Sequence, residues 1–326
     1  MKKFIGLLLF GLQICTLQAA PQSWIEWVSE GKASVAVGNY KAGLDAFHKA
    51  LANGESSKIP ARQLVEITVS LAAAYSELGL YADSEGAWRK ALAMVENTEG
   101  TASLDYAVVL ANMLTLPIQT TRNEKDIQTL RRAIVTPRKT DSPTDLAMVR
   151  ACLANLLMRQ LKYGEAETLL LDSLADFDRL KESEPQLVAT VLDLLGKIRY
   201  EQGRFAEALQ LHSRSLNILE STLGAQHPSL IVTLNDLASA MVKANRSEEA
   251  AALYQRAILL CAKTLGLDHP EYGVVLENYS FVLKKLGRKH EGKELAARAK
   301  QILSASDRRN GIGAVVSVSA LRADKK

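Results

Sequence analysis

The side chains able to do acid–base, nucleophilic or metal chemistry are few and poorly arranged for it. Of five histidines, His227 and His269 lie in Leu-Gly-x-x-His-Pro stretches that recur 42 residues apart. A catalytic group has no reason to recur at a structural period, so both are assigned to structure. His212 occupies the large-residue slot of a helical pattern and reads as packing, while His48 and His290 read as exposed helix residues. There is no Gly-x-Gly-x-x-Gly, no Gly-Lys-Ser/Thr phosphate loop, no His-Glu-x-x-His and no Gly-x-Ser-x-Gly elbow. Of the three cysteines, Cys15 falls in an export-like leader, and Cys152 and Cys261 sit in apolar helical patterns two repeats apart. That separation is too great for a disulfide in an extended array, and no zinc-ligand spacing is present. The sequence therefore predicts a protein that is not an enzyme and carries no metal and no cofactor.

What remains is surface, and the elements that display it are repeats. Leu223-Gly224-Ala225-Gln226-His227-Pro228 returns as Leu265-Gly266-Leu267-Asp268-His269-Pro270, each followed by an apolar-periodic run, a break near Asn245 or Gly287, and a second helical run. A period of 20 to 50 residues marks stacked supersecondary units. Hydrophobic residues make up 48% of the chain while aromatics reach only 6%, so the core falls to Leu, Ala and Val, as between amphipathic helices. The predicted fold is all-α: a right-handed superhelical solenoid of about seven antiparallel helix pairs.

Seven units follow from small residues midway along a helix A, a turn, and a helix B ending near an Ala-Leu-like pair. They lie near 24–53, 61–96, 103–136, 144–180, 186–223, 229–265 and 271–303. Small residues let helices approach and a larger residue fills the gap opposite; unit one carries Gly31 and Phe47, unit two Ala72 and Trp88, and unit five Gly196 and His212 in these classes of position. Unit three is the poorest, because Pro117 ends its first helix and 118–123 reads as a loop before Glu124–Val135. Pro143, Pro185, Pro228 and Pro270 fall 42, 43 and 42 residues apart, each just ahead of a helix A, where proline is tolerated.

These residues together resemble the tetratricopeptide repeat, whose usual unit is about 34 residues. The longer period, the Leu-Gly-x-x-His-Pro joints and Leu234-Asn235-Asp236-Leu237-Ala238 resemble the kinesin-light-chain type, over Trp24 to about Leu303. In such an array helix A makes the concave wall. By that register the candidate groove residues are Asn155 and Arg159 in unit four, Asp193, Lys197 and Tyr200 in unit five, Asn235, Ser239 and Lys243 in unit six, and Asn278, Phe281 and Lys284 in unit seven. Asparagine can bond both polar groups of an extended backbone, and Lys and Arg meet carboxylates. The resemblance implies that helix A asparagines serve peptide binding, with Asn235 and Asn278 at matching positions; Asp236 and Glu277 depart from that pattern.

Lys2-Lys3, the uncharged run Phe4 to Leu12 and the small residues at Ala19-Ala20 read as a secretory signal over 1–20, cleaved to release a periplasmic or extracellular protein that meets membrane only in transit. Net charge is +4, and +2 once Lys2 and Lys3 are gone, too balanced for a nucleic-acid binder. The expected partner is a protein or an extended peptide held in the groove of an exported scaffold; the alternative is a structural part of a cell-envelope assembly, joined by its convex face or ends. Residues 304–326 are expected to form a tail, flexible or strand-like, since Gly311–Leu321 alternates Val and Ser with period two.

Overall fold

The computed structural model describes residues 23–117, 124–137, 142–180 (backbone alone for 178–180) and 184–311. Among these residues there are fourteen α-helices and no strand, paired as seven units. Unit one is α1 (Trp24–Ala36) and α2 (Tyr40–Ser56), unit two α3 (Ala61–Glu77) and α4 (Tyr81–Glu99), and unit three α5 (Leu104–Thr115) and α6 (Glu124–Val135). Unit four is α7 (Pro143–Arg159) and α8 (Tyr163–Leu180), unit five α9 (Pro185–Glu201) and α10 (Phe205–Leu223). Unit six is α11 (Leu230–Lys243) and α12 (Ser247–Thr264), and unit seven α13 (Pro270–Lys285) and α14 (Lys289–Arg309). Residues 1–20, read as a signal, lie outside the described residues.

The helix ends obey local chemistry. Ser23 and Glu26 form a reciprocal capping box at α1, and Ser103 and Ser142 cap α5 and α7. Pro143, Pro185 and Pro270 stand in the first turn of α7, α9 and α13, where a missing N–H costs nothing; Pro228 instead sits in the turn ahead of α11. Within each pair the small residues do what their size allows. A Cβ on Gly31 would sit 2.5 Å from the Phe47 ring, and one on Gly196 would sit 2.6 Å from His212 Cε1. Apolar core runs unbroken from unit two to unit five, with a second through units five to seven and a small cluster of Leu44, Phe47, Leu71 and Ala74 joining unit one. Leu110, Leu153, Leu157 and Leu230 are fully enclosed, each contributing about 1.5–3 kcal/mol.

The last helix corrects the expected boundary. α14 continues past Leu303 to Arg309, because Ile302, Ser306 and Asn310 extend one buried stripe at four-residue spacing. The polar stretch 304–310 is thus a docked face, and not the start of a tail. Gly311 closes it in the left-handed region at φ 64°. The expected strand-like segment falls, beyond Gly311, outside the described residues.

What that face docks against is the other end of the array. The turn of unit one packs on the joint that opens unit six: Pro228 rests on Gly38, the Tyr40 and His227 rings meet edge to face at 6.5 Å, and the Tyr40 hydroxyl lies 3.4 Å from Ser229 Oγ. The turn of unit two packs in the same way on the joint of unit seven, with Pro270 against Gly79. Here His269 Nε2 donates to the Glu77 carbonyl at 3.1 Å, and Asn310 both donates to the Gly79 carbonyl and accepts from the Ala82 N–H, each at 3.1 Å. The superhelix completes a turn and closes on itself through this seam.

Candidate functional site

Closure brings two walls together around a partly open lumen. A cavity of about 630 Å³ lies between units one and two on one side and units five and six on the other. Its wall is mostly helix A: Lys32 from α1, Ser70 and Glu77 from α3, and Gln186, Thr190, Asp193 and Lys197 from α9, with Thr233 from α11. The α9 contribution is one stripe at spacings of four, three and four, the face a helix presents to a single neighbour.

Two carboxylates organise the wall. Asp193 accepts from His212 Nδ1 at 2.9 Å and from Thr233 Oγ1 at 2.5 Å, tying α9 to α10 and α11. Its acceptor then fixes the His212 tautomer, with the proton on Nδ1. Asp236 faces Lys197 at 3.1 Å, and this carboxylate, opposed by desolvation, holds the lysine ammonium above its ordinary range. Lys197 keeps 39% of its side-chain surface open to the lumen, so the ion pair is walled in by protein and still reachable. Nearby, burial pushes Glu271 up to about 6 against the opposing pull of Lys197, and burial likewise raises Glu77. Asp236 and Glu271 thus both act on the one lysine, while Glu77, on the opposite wall, adds to the rise at Glu271.

Of the eleven predicted groove residues, Asp193 and Lys197 line this cavity. Asn235 is buried and accepts from Asn278 Nδ2 at 2.8 Å, which bridges α11 and α13. Ser239 bonds the Tyr254 hydroxyl at 2.7 Å, and Tyr200 stacks edge-on against Phe205. Phe281 is exposed with Lys284 Nζ 5.3 Å from its ring centre, Asn155 is half-buried, and Arg159 and Lys243 are exposed. Lys32, Ser70, Glu77, Gln186, Thr190 and Thr233 were not anticipated. The α9 members were accessible from periodicity, one and two turns before Asp193. Those of units one and two depend on closure, for which the local pattern has no signal. Cys152 and Cys261 are free thiols, and burial pushes both up to about 12.

The tetratricopeptide-repeat family model matches residues 145–221 and 187–258. No curated protein matches the chain. Among solved structures, a signal-transduction ATPase with a tetratricopeptide-repeat sensor from Pyrococcus horikoshii is 13% identical, with a TM-score of 0.51 over 88% of this chain and 44% of its own. A putative kinesin light chain of Podosopora anserina with nearly identical repeats is 19% identical, with a TM-score of 0.47 over 65% of this chain and 100% of its own. BtubC of P. vanneervenii is 16% identical, with a TM-score of 0.46 over 88% and 93%.

Proposed function

We propose that this tetratricopeptide-repeat solenoid is an exported, non-enzymatic interaction scaffold that holds an extended peptide segment in its lumen. Repeats of this kind are protein-interaction scaffolds, and the lumen is the observation that carries the finer reading. Its volume is within the range of built ligand sites. Its wall offers hydroxyl oxygens at Ser70 and Thr190 and an amide at Gln186 for a peptide backbone, and charges of both signs at Glu77 and Lys197 for side chains or termini. Export rests on the charged, apolar and small-residue regions of 1–20.

The test is capture of peptides from a proteolytic digest of the native envelope fraction. Thr190 is exposed on the lumen wall, so Thr190→Trp should fill the cavity and reduce capture at least about tenfold, the loss of a single good contact or more. Lys284→Glu, outside the cavity, should leave capture unchanged. Equal capture by Thr190→Trp and the unmodified chain would exclude the lumen as the site. Capture of an intact protein, but of no peptide, would favour an envelope-assembly component joined through its convex face or ends.

A further inference from the structure

The seam differs from every neighbour contact in the array. Adjacent units share buried apolar clusters. Across the seam run hydrogen bonds made by Tyr40, His269 and Asn310, together with the Tyr40–His227 ring contact and two prolines resting on glycines. The pieces recur as a matched set. Gly38-Asn39-Tyr40 and Gly79-Leu80-Tyr81 are the turns that dock, and the two Leu-Gly-x-x-His-Pro joints are what they dock on. Gly203 and Gly287 hold the same left-handed backbone in the turns of units five and seven, with open space around them. The lumen lies directly inside the seam, with one wall from each side of it.

The geometry points to a latch: the two ends of the array exchange between this closed ring and an open superhelix, and the two-walled lumen exists in the closed form alone. Each unit of a solenoid touches mainly its neighbours, so a small rotation at every joint parts the ends without disturbing any core. A ligand touching both walls would then favour closure by its differential affinity for the two forms. The latch goes beyond the peptide reading and does not depend on it, since it is a property of the free chain.

Pulsed paramagnetic distance measurement on the full chain carrying Cys15→Ser tests it, with spin labels at Lys41→Cys and Ala225→Cys, exposed positions flanking Gly38 and Pro228. The native thiols Cys152 and Cys261, with their pKa values pushed up to about 12, are poor competitors for label. Two double variants carry the comparison. Gly38→Ala with Gly79→Ala strains two left-handed positions and drives Cβ atoms to 2.4 and 2.7 Å from proline; Gly203→Ala with Gly287→Ala strains two similar positions and meets nothing within 4 Å. The unmodified glycines should give a short distance, the seam pair a longer one with helix content retained, and the control pair the short one again. Asn310→Ala is a gentler opening that adds no strain, and should raise the open fraction roughly fivefold for each hydrogen bond lost. The latch is overturned if Asn310→Ala leaves the distribution unchanged, if the two glycine pairs give the same distances, or if the unmodified chain shows no short distance.

Discussion

His269 Nε2 donates to the carbonyl oxygen of Glu77 at 3.1 Å, across 192 positions of sequence. The other nitrogen of the same ring, Nδ1, accepts the Glu271 N–H at 3.2 Å and so caps α13. One imidazole thus starts the last unit and clasps the second. Both contacts together require the neutral ring with its proton on Nε2.

This neutral ring should be visible in the pH dependence of stability. Burial pushes His269 down to about 4, from 6.5. Between those values the unfolded chain binds more protons, so the contribution is complete above pH 6.5 and is lost as pH falls toward 4. The unfolding free energy of the unmodified chain, less that of His269→Ala, should therefore shrink by about 3 kcal/mol from pH 7 to pH 4. A difference independent of pH would exclude this assignment.

Glu271 should behave in the opposite sense. Its folded value of about 6 lies above the ordinary 4.5, so the folded chain binds the extra proton in that interval and the carboxylate costs stability above it. Glu271→Gln should unfold later than the unmodified chain at pH 7 to 8 by about 1 kcal/mol, a figure reduced because the side chain is only half-buried. That advantage should vanish below pH 4.5. Urea titrations at pH 4 and pH 8 distinguish this from a simple loss of the attraction to Lys197, which would destabilise at pH 8.

Gly196 faces a ring that cannot retreat, because Asp193 holds His212 in place. Gly196→Leu should overpack the pair and cost about 1–3 kcal/mol. An unchanged thermal midpoint would mean that the units are misregistered.

Asn310 acts as a helix cap supplied from the far end of the chain. α4 begins after Leu80, whose side chain can cap nothing, and Asn310 accepts the Ala82 N–H in its place. Asn310→Ala should cost about 1–2 kcal/mol and speed hydrogen exchange at the Ala82 amide. Truncation after Ser306 should do the same. Exchange at Ala82 as slow as in the intact chain would show that the cap is not made.

The fold was largely legible because a repeat states its own grammar many times. Gly196 and His212 meet within one unit, and the periodic prolines mark where successive units begin. The seam was not legible, because it depends on how small rotations accumulate over five units, and no short window of sequence contains that sum. Its components were nevertheless in view: the His-Pro joints were correctly assigned to structure, but their counterpart on the first two turns was not foreseen. The groove register suffered for the same reason. Asp193 and Lys197 face the lumen as a concave wall requires, whereas Asn235 and Asn278, which look equally free on a helical wheel, bond to each other across adjacent helices. Asp236, which departs from the asparagine pattern, has its explanation in Lys197.

The cap from Asn310 also orders events in time. A solenoid assembles from contacts between adjacent units, so most of this chain can fold as it is made or delivered, from its first unit onward. Unit two, however, cannot obtain its last hydrogen-bond partner until residue 310 has arrived. Non-local contacts form late because the intervening chain must first be ordered. Closure is therefore the terminal step of folding, and a chain that has not yet reached Asn310 leaves the first turn of α4 without the cap on its Ala82 N–H, however well its units are stacked.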